Sequence, residues 1–133
     1  MKRTYLDSSV LIQAVRGVDG DRTTALLEDP DREFVAATFL KLEVLPQPTF
    51  HKREAELAFL RDFFGQVVEW CDASEDLLSA ALAEAGALPL AAIDAIHVAA
   101  AKRLHADEFI TAERPNKPLY RVRGLKVCFL ANI

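Results

Sequence analysis

"TYLDSSVLI", Thr4 to Ile12, carries the pattern on which the reading of the whole chain rests. A short buried strand runs from Arg3 to Leu6. Ser8 or Ser9 then caps a helix that continues through Val15 and stops near Gly17. Between strand and helix stands Asp7, immediately before Val10-Leu11-Ile12, where a small protein wants its core. A charge there needs a partner, and the rest of the chain has to supply it.

The same alternation continues outward. A helix is expected from Asp21 to Glu28, ahead of Asp29-Pro30, and a strand from Glu33 to Ala37. Thr38 opens a helix with Phe39, Leu42 and Leu45 on one face, which Pro46 and Pro48 terminate. Glu54 to Phe64 places Leu57, Leu60, Phe63 and Phe64 at helical spacing, and "VVEW" (Val67–Trp70) reads as a strand. Ser74 opens a helix with Glu75 and Asp76 in its first turn; it carries Leu77, Leu78 and Leu82 and fades at Gly86. A long helix from Leu90 to His105 and strands at Glu108–Thr111 and Lys126–Leu130 complete the chain. Short apolar strands alternating with helices imply parallel βαβ units, so the class is α/β with helices on both faces of the sheet. No repeat, linker or low-complexity tract interrupts it, and residues 1–133 read as a single domain.

Composition narrows the function classes. A chain of 133 residues, 51% hydrophobic and 27% charged, is an ordinary globular protein. Lys2 and Arg3 are not followed by the apolar run of a signal peptide, and Leu88–Ala101 is too short to span a bilayer. A cytoplasmic location without membrane attachment is therefore expected. Cys71 and Cys128 lack CxxC spacing and read as reduced structural thiols. The net charge of -4 does not suit a protein that coats nucleic acid. The charge is nevertheless uneven: Arg114, Lys117, Arg121, Arg123 and Lys126 occupy a C-terminal segment with no acid, and His51-Lys52-Arg53 forms a second basic group.

Four of the 20 acids lie in apolar company. Asp7 ends the first strand; Glu43 lies in "FLKLEVL" (Phe39–Leu45); Asp94 lies in "LPLAAIDAIHVAAA" (Leu88–Ala101), whose only other polar side chain is His97; Glu113 follows "FITA". Each has a plain structural alternative. Asp7 could cap the helix after it, Glu43 could face solvent, and Asp94 could pair with an arginine. Together, however, they suggest one crevice at the carboxyl ends of parallel strands. Two carboxylates about 4 Å apart repel by roughly 4 kcal/mol at an effective dielectric near 20. Only Lys41 and Arg114 accompany these segments, so a divalent cation is the economical counterion. Oxygen-only ligands suit Mg²⁺ or Mn²⁺.

"YLDSSVLI", "LKLEVL", "LPLAAIDAIHVAAA" and "FITAERPNKPLYRV" resemble, in order and rough spacing, the motifs of the PIN-domain family. The nearest look is to the VapC-type toxin ribonucleases of prokaryotic toxin–antitoxin pairs. The resemblance implies a three-layer α/β/α fold with a central parallel sheet of four to five strands. It also implies an acidic pocket that binds Mg²⁺ or Mn²⁺ and hydrolyses RNA, and a cognate antitoxin. By that resemblance Asp7, Glu43 and Asp94 match the principal acids, Ser9 a supporting polar residue, and His97 a polar position one turn beyond the third acid. Glu113 departs from the pattern, since the family usually has Asp there. The extra methylene puts occupancy of a second metal position in question. His51, Lys52, Arg53, Arg114 and Lys117 become candidates for the RNA backbone.

Two rivals and one assembly expectation accompany this reading. A phosphatase of the haloacid dehalogenase type also starts with an aspartate after a strand, but wants a second Asp where this chain has Ser9. A degenerate PIN-fold module would bind RNA or a protein partner without cutting, and Glu113 is its best support. Phe59, Phe63 and Phe64 give the Glu54–Phe64 helix more apolar surface than one face usually buries, so a homodimer or an antitoxin is expected to cover part of it; plain core packing is the alternative.

Overall fold

The computed structural model describes all residues, 1–133. Five parallel strands form one sheet in the order β3-β2-β1-β4-β5. They are β1 (Lys2–Leu6), β2 (Arg32–Ala37), β3 (Val67–Cys71), β4 (Glu108–Thr111) and β5 (Val127–Phe129). The helices α1 (Ser8–Val15) and α2 (Gly20–Leu27) join β1 to β2. Next, α3 (Phe39–Val44), α4 (Pro46–Phe50) and α5 (Glu54–Gln66) lead to β3, and α6 (Glu75–Ala87) and α7 (Ala92–Arg103) return the chain to β4. Because β4 lands on the opposite side of β1 from β2, strand order reverses at the β1/β4 boundary. Crevices form at the carboxyl ends of strands at such a point.

Side-chain alternation divides the strands between two cores. Tyr5, Val35, Ala37 and Phe109 pack with α6 and α7 on one face. Leu6, Phe34, Ala36 and Ile110 pack with α1, α2, α3 and α5 on the other. The result is a three-layer α/β/α arrangement. On α7, Ala95 and Ala99 through Ala101 are buried, and these small side chains let the helix lie close to the sheet.

Three local expectations need correction. The face of α3 that meets the core is Leu40 and Val44, four residues apart, while Leu42 is exposed. α3 stops at Val44 ahead of Pro46 as expected, but Pro46 then opens a further helix, α4, that also takes in Pro48, because the first turn needs no N–H from it. On α6 the buried stripe is Leu77 and Ala81, and both Leu78 and Leu82 face outward. The apolar residues of α5 also leave little surface to spare. Leu57, Leu60 and Phe63 are buried, and Phe59 and Phe64 pack against the same core.

Candidate functional site

Asp7 sits where β1 gives way to α1, and its backbone N–H donates to Ile110 O at 2.9 Å, extending the β1–β4 ladder. The two-residue period directs its side chain to the Tyr5 face, which α7 covers. Asp94 lies in the first turn of α7, where the helix N-terminus favours a carboxylate. Glu113 follows β4 by two residues. One carboxylate oxygen from each of Asp7, Asp94 and Glu113 lies within 4.8 Å of the others. Asp7 is buried, and the other two are half-buried.

Hydrogen bonding separates the acids by what they still offer. Asp7 Oδ2 accepts from Ser9 Oγ at 2.9 Å and from Thr111 Oγ1 at 2.9 Å, leaving Oδ1 free. The Asp7 side chain makes no helix-cap bond, so capping is not its role. Ser9 Oγ also accepts from Ala112 N at 3.0 Å, and Thr111 Oγ1 from Glu113 N at 3.1 Å, which stitches the loop after β4 to α1. Tyr120 donates to Glu113 O at 2.5 Å and closes the same loop from the other side. Its phenol is pushed up to about 12, by burial first and then by the Glu113 charge, so it remains a donor.

None of the ion pairs in the structure reaches Asp7, Asp94 or Glu113. Lys41 turns away to lie 4.4 Å from the centre of the Trp70 ring. Carboxylates 4.8 Å apart repel by roughly 3 kcal/mol at an effective dielectric near 20. Asp94 registers this crowding: its carboxyl is pushed up to about 6, by burial first and then by the charges of Glu113 and Asp7. Three oxygen donors, mutually repelling and unpaired by any cationic side chain, have the chemistry of a hard divalent-cation site.

Glu43 stands beside this group and is held differently. Its Oε1 is hydrogen-bonded by the buried His97 Nε2, and its Oε2 accepts from Ser8 Oγ at 3.0 Å. It is not a solvent-facing residue, since its side chain is only 17% exposed. It also lines a groove formed by Leu11, Ile12, Val15, Val44, Pro48 and Leu60, with Arg16, Arg53 and Glu56 among its other residues. Of the basic candidates, His51, Lys52 and Arg53 occupy the exposed α4–α5 turn, and Arg53 reaches Glu56 at 3.7 Å. Arg114 and Lys117 are exposed on the loop after Glu113.

Sequence reading passed over Tyr5, Ser8, Thr111 and Tyr120. Ser8 and Thr111 stand directly in the quoted motifs, and a hydroxyl flanking a buried carboxylate was the available signal. Tyr5 and Tyr120 gave none, because their partners depend on the fold.

The sequence pattern of the family described as PIN domain matches residues 4–122. No curated relative matches the sequence significantly. Among solved structures, the chain is similar to a toxin–antitoxin complex from Klebsiella pneumoniae, with a TM-score of 0.74 at 19% identity, covering 96% of this chain and 97% of that one. It is also similar to VapBC2 from Rickettsia felis bound to a DNA fragment from their promoter (TM-score 0.71, 14% identity, 96% and 98% covered). A third likeness is to DNA-bound VapBC from Salmonella typhimurium (0.69, 16%, 98% and 99%). At these identities the likeness is one of fold.

Proposed function

Since this chain belongs to the PIN-domain family, we propose that it is a nuclease of the VapC toxin type, a Mg²⁺- or Mn²⁺-dependent endoribonuclease. The observation that carries this reading is the convergence of Asp7, Asp94 and Glu113 with no cationic side chain among them. Those three residues would hold the cation, Asp7 through the oxygen its hydroxyl partners leave free. A bound divalent ion would supply Lewis-acid polarisation of the phosphodiester and acidify the attacking water. Ser9 and Thr111 fix the orientation of Asp7, and the Tyr120 hydroxyl fixes the backbone that carries Glu113. Glu43 keeps lone pairs beyond its two hydrogen bonds and is placed to bind the ion or orient water. Cleavage of a generic RNA by purified protein in Mg²⁺, in Mn²⁺ and in chelator tests the proposal. Cutting in either metal and none in chelator is expected, and cutting that chelator leaves untouched overturns it.

Glu113 was the best support for a non-catalytic module. Its longer side chain still reaches the other two acids, which favours catalysis. His51, Lys52, Arg53, Arg114 and Lys117 would meet the RNA backbone from exposed turns.

The similar structures are toxin–antitoxin complexes, and an antitoxin is the partner we assign. The apolar groove that Glu43 helps to line suits an inserted segment with apolar side chains, and a basic side chain on that segment would meet Glu43. A homodimer, if it forms, would not use α5, whose apolar residues are engaged within the chain. Leu78 and Leu82 of α6, and Leu42 and Phe50 of α3 and α4, are among the exposed apolar residues open to it. No single helix is long and apolar enough to cross a membrane. A nuclease acting on cellular RNA would work in the cytoplasm.

A further inference from the structure

Behind Glu43 lies a chain of polar contacts that the three-acid group does not need. The hydroxyl of Tyr5 meets His97 Nδ1, and His97 Nε2 meets Glu43 Oε1. Tyr5 and His97 are both completely buried, on β1 and α7 respectively, and an apolar pair would fill that space without unmet polar atoms. Their aromatic packing is otherwise ordinary: Tyr5 stacks on Phe109 at 5.2 Å between ring centres, and His97 meets Phe39 edge-on at 6.1 Å.

The donors and acceptors can be assigned by elimination. An ionised carboxylate only accepts, so the His97 nitrogen facing Glu43 carries a hydrogen. Nδ1 is the only acceptor the structure gives the buried Tyr5 hydroxyl. Tyr5 therefore donates into a bare Nδ1, and the ring hydrogen of His97 sits on Nε2. Every hydrogen in the chain points towards Glu43, whose second oxygen takes the Ser8 hydroxyl at 3.0 Å.

We propose that Tyr5 and His97 are positioning residues: they fix the Glu43 carboxylate beside the three acids, outside the cation's ligand set, as the group that orients the attacking water. This rests on the nuclease reading and goes beyond it by giving Glu43 a role separate from Asp7, Asp94 and Glu113. The oxygens of those three lie within 4.8 Å of one another, and Glu43 does not belong to that group. A group held by two donors from opposite elements, α1 and α7, gains the orientation that a water-positioning residue requires.

The test compares Glu43→Gln, His97→Leu, His97→Gln and Tyr5→Phe with the wild type. Mn²⁺ affinity by calorimetry should stay within about twofold in Glu43→Gln and His97→Leu, while kcat falls by about 100-fold at nearly constant KM. His97→Gln, whose amide can still donate to Glu43, should recover most of that loss, and Tyr5→Phe should cost about tenfold. Nitrogen-15 NMR of the metal-free wild type should show His97 as the Nε2–H tautomer. A loss of Mn²⁺ affinity in Glu43→Gln as large as in Asp94→Asn would overturn the proposal, because Glu43 would then be a ligand. An Nδ1–H tautomer in the wild type would also overturn it, as would equal activity in the two His97 variants. A wild type that cuts no RNA would count against the nuclease reading, and the tautomer and the Mn²⁺ affinities would still decide whether Glu43 is held apart from the cation.

Discussion

The two ends of the sheet carry the same kinds of acidic residue and treat them in opposite ways. At the amino end, Arg3 reaches Glu33 at 3.1 Å and Glu69 at 2.5 Å, and its backbone N–H donates to Asp107 at 2.8 Å. The buried Glu108 is flanked by Lys2 at 3.6 Å and Arg32 at 3.5 Å, and Arg32 also holds Asp29 at 2.7 Å. At the carboxyl end, Asp7, Asp94 and Glu113 converge with no cationic partner. Strand β1 spans the contrast, beginning at Lys2-Arg3 and leading into Asp7. Where the protein needs only a stable fold, it supplies the countercharge from its own side chains. Where it leaves three acids together without one, the countercharge is open to a cation from outside, which is what the proposed metal would supply.

The sharpest way to break this comparison is to neutralise one acid at the carboxyl end. Asp94→Asn should lower metal-dependent RNA cleavage by about 10³-fold, equivalent to about 4 kcal/mol of transition-state stabilisation. At the amino end, Arg32→Met should leave cleavage per folded molecule unchanged. It should destabilise the protein by about 2 kcal/mol in denaturant titration, because Lys2 is then the one cation left beside buried Glu108.

The ends should also differ in how acid affects them. Asp94 has its carboxyl pushed up to about 6 in the folded chain, above the ordinary 3.8. Below both values the group is neutral in either state and has no effect on stability. As pH rises through the interval, the unfolded chain ionises first and the folded chain is penalised. Metal-free wild type should therefore lose about 1 kcal/mol between pH 4 and pH 7 from this half-exposed group after solvent screening, and Asp94→Asn should not. Equilibrium unfolding at the two pH values in chelator reads the difference.

Smaller effects sharpen the picture. Glu113→Asp should keep cleavage within about threefold or raise it, since the carboxylate charge at the site is unchanged. Arg114→Ala with Lys117→Ala should lower the slope of log affinity against log salt by about 1.4 for single-stranded RNA if each contacts one phosphate.

The order of strands was legible because each strand centres on a short apolar run, and most helices from their apolar spacing; α4 was not, because the prolines that open it read as a stop. Helix faces were less legible. Leu82 and Leu42 fit an apolar stripe by spacing, but α6 approaches α7 through the small Ala81, and α3 meets the core through Leu40 and Val44. The four unusual acids were visible from their apolar neighbours alone. Their division into three grouped acids and a separately held Glu43 was not, because it depends on His97 and Ser8 arriving from α7 and α1. Tyr5 and His97 are 92 residues apart, and no local pattern joins them.

Mn²⁺ binding measured by calorimetry at pH 7.5 tests the difference between the two ends most directly, with wild type, Asp94→Asn and Glu33→Gln compared in the same buffer. Glu33 is an amino-end acid whose charge Arg3 already matches. Wild type and Glu33→Gln should bind Mn²⁺ equally, and Asp94→Asn should bind at least about tenfold more weakly. Equal affinity in all three proteins would contradict the assignment of the carboxyl-end acids to a cation.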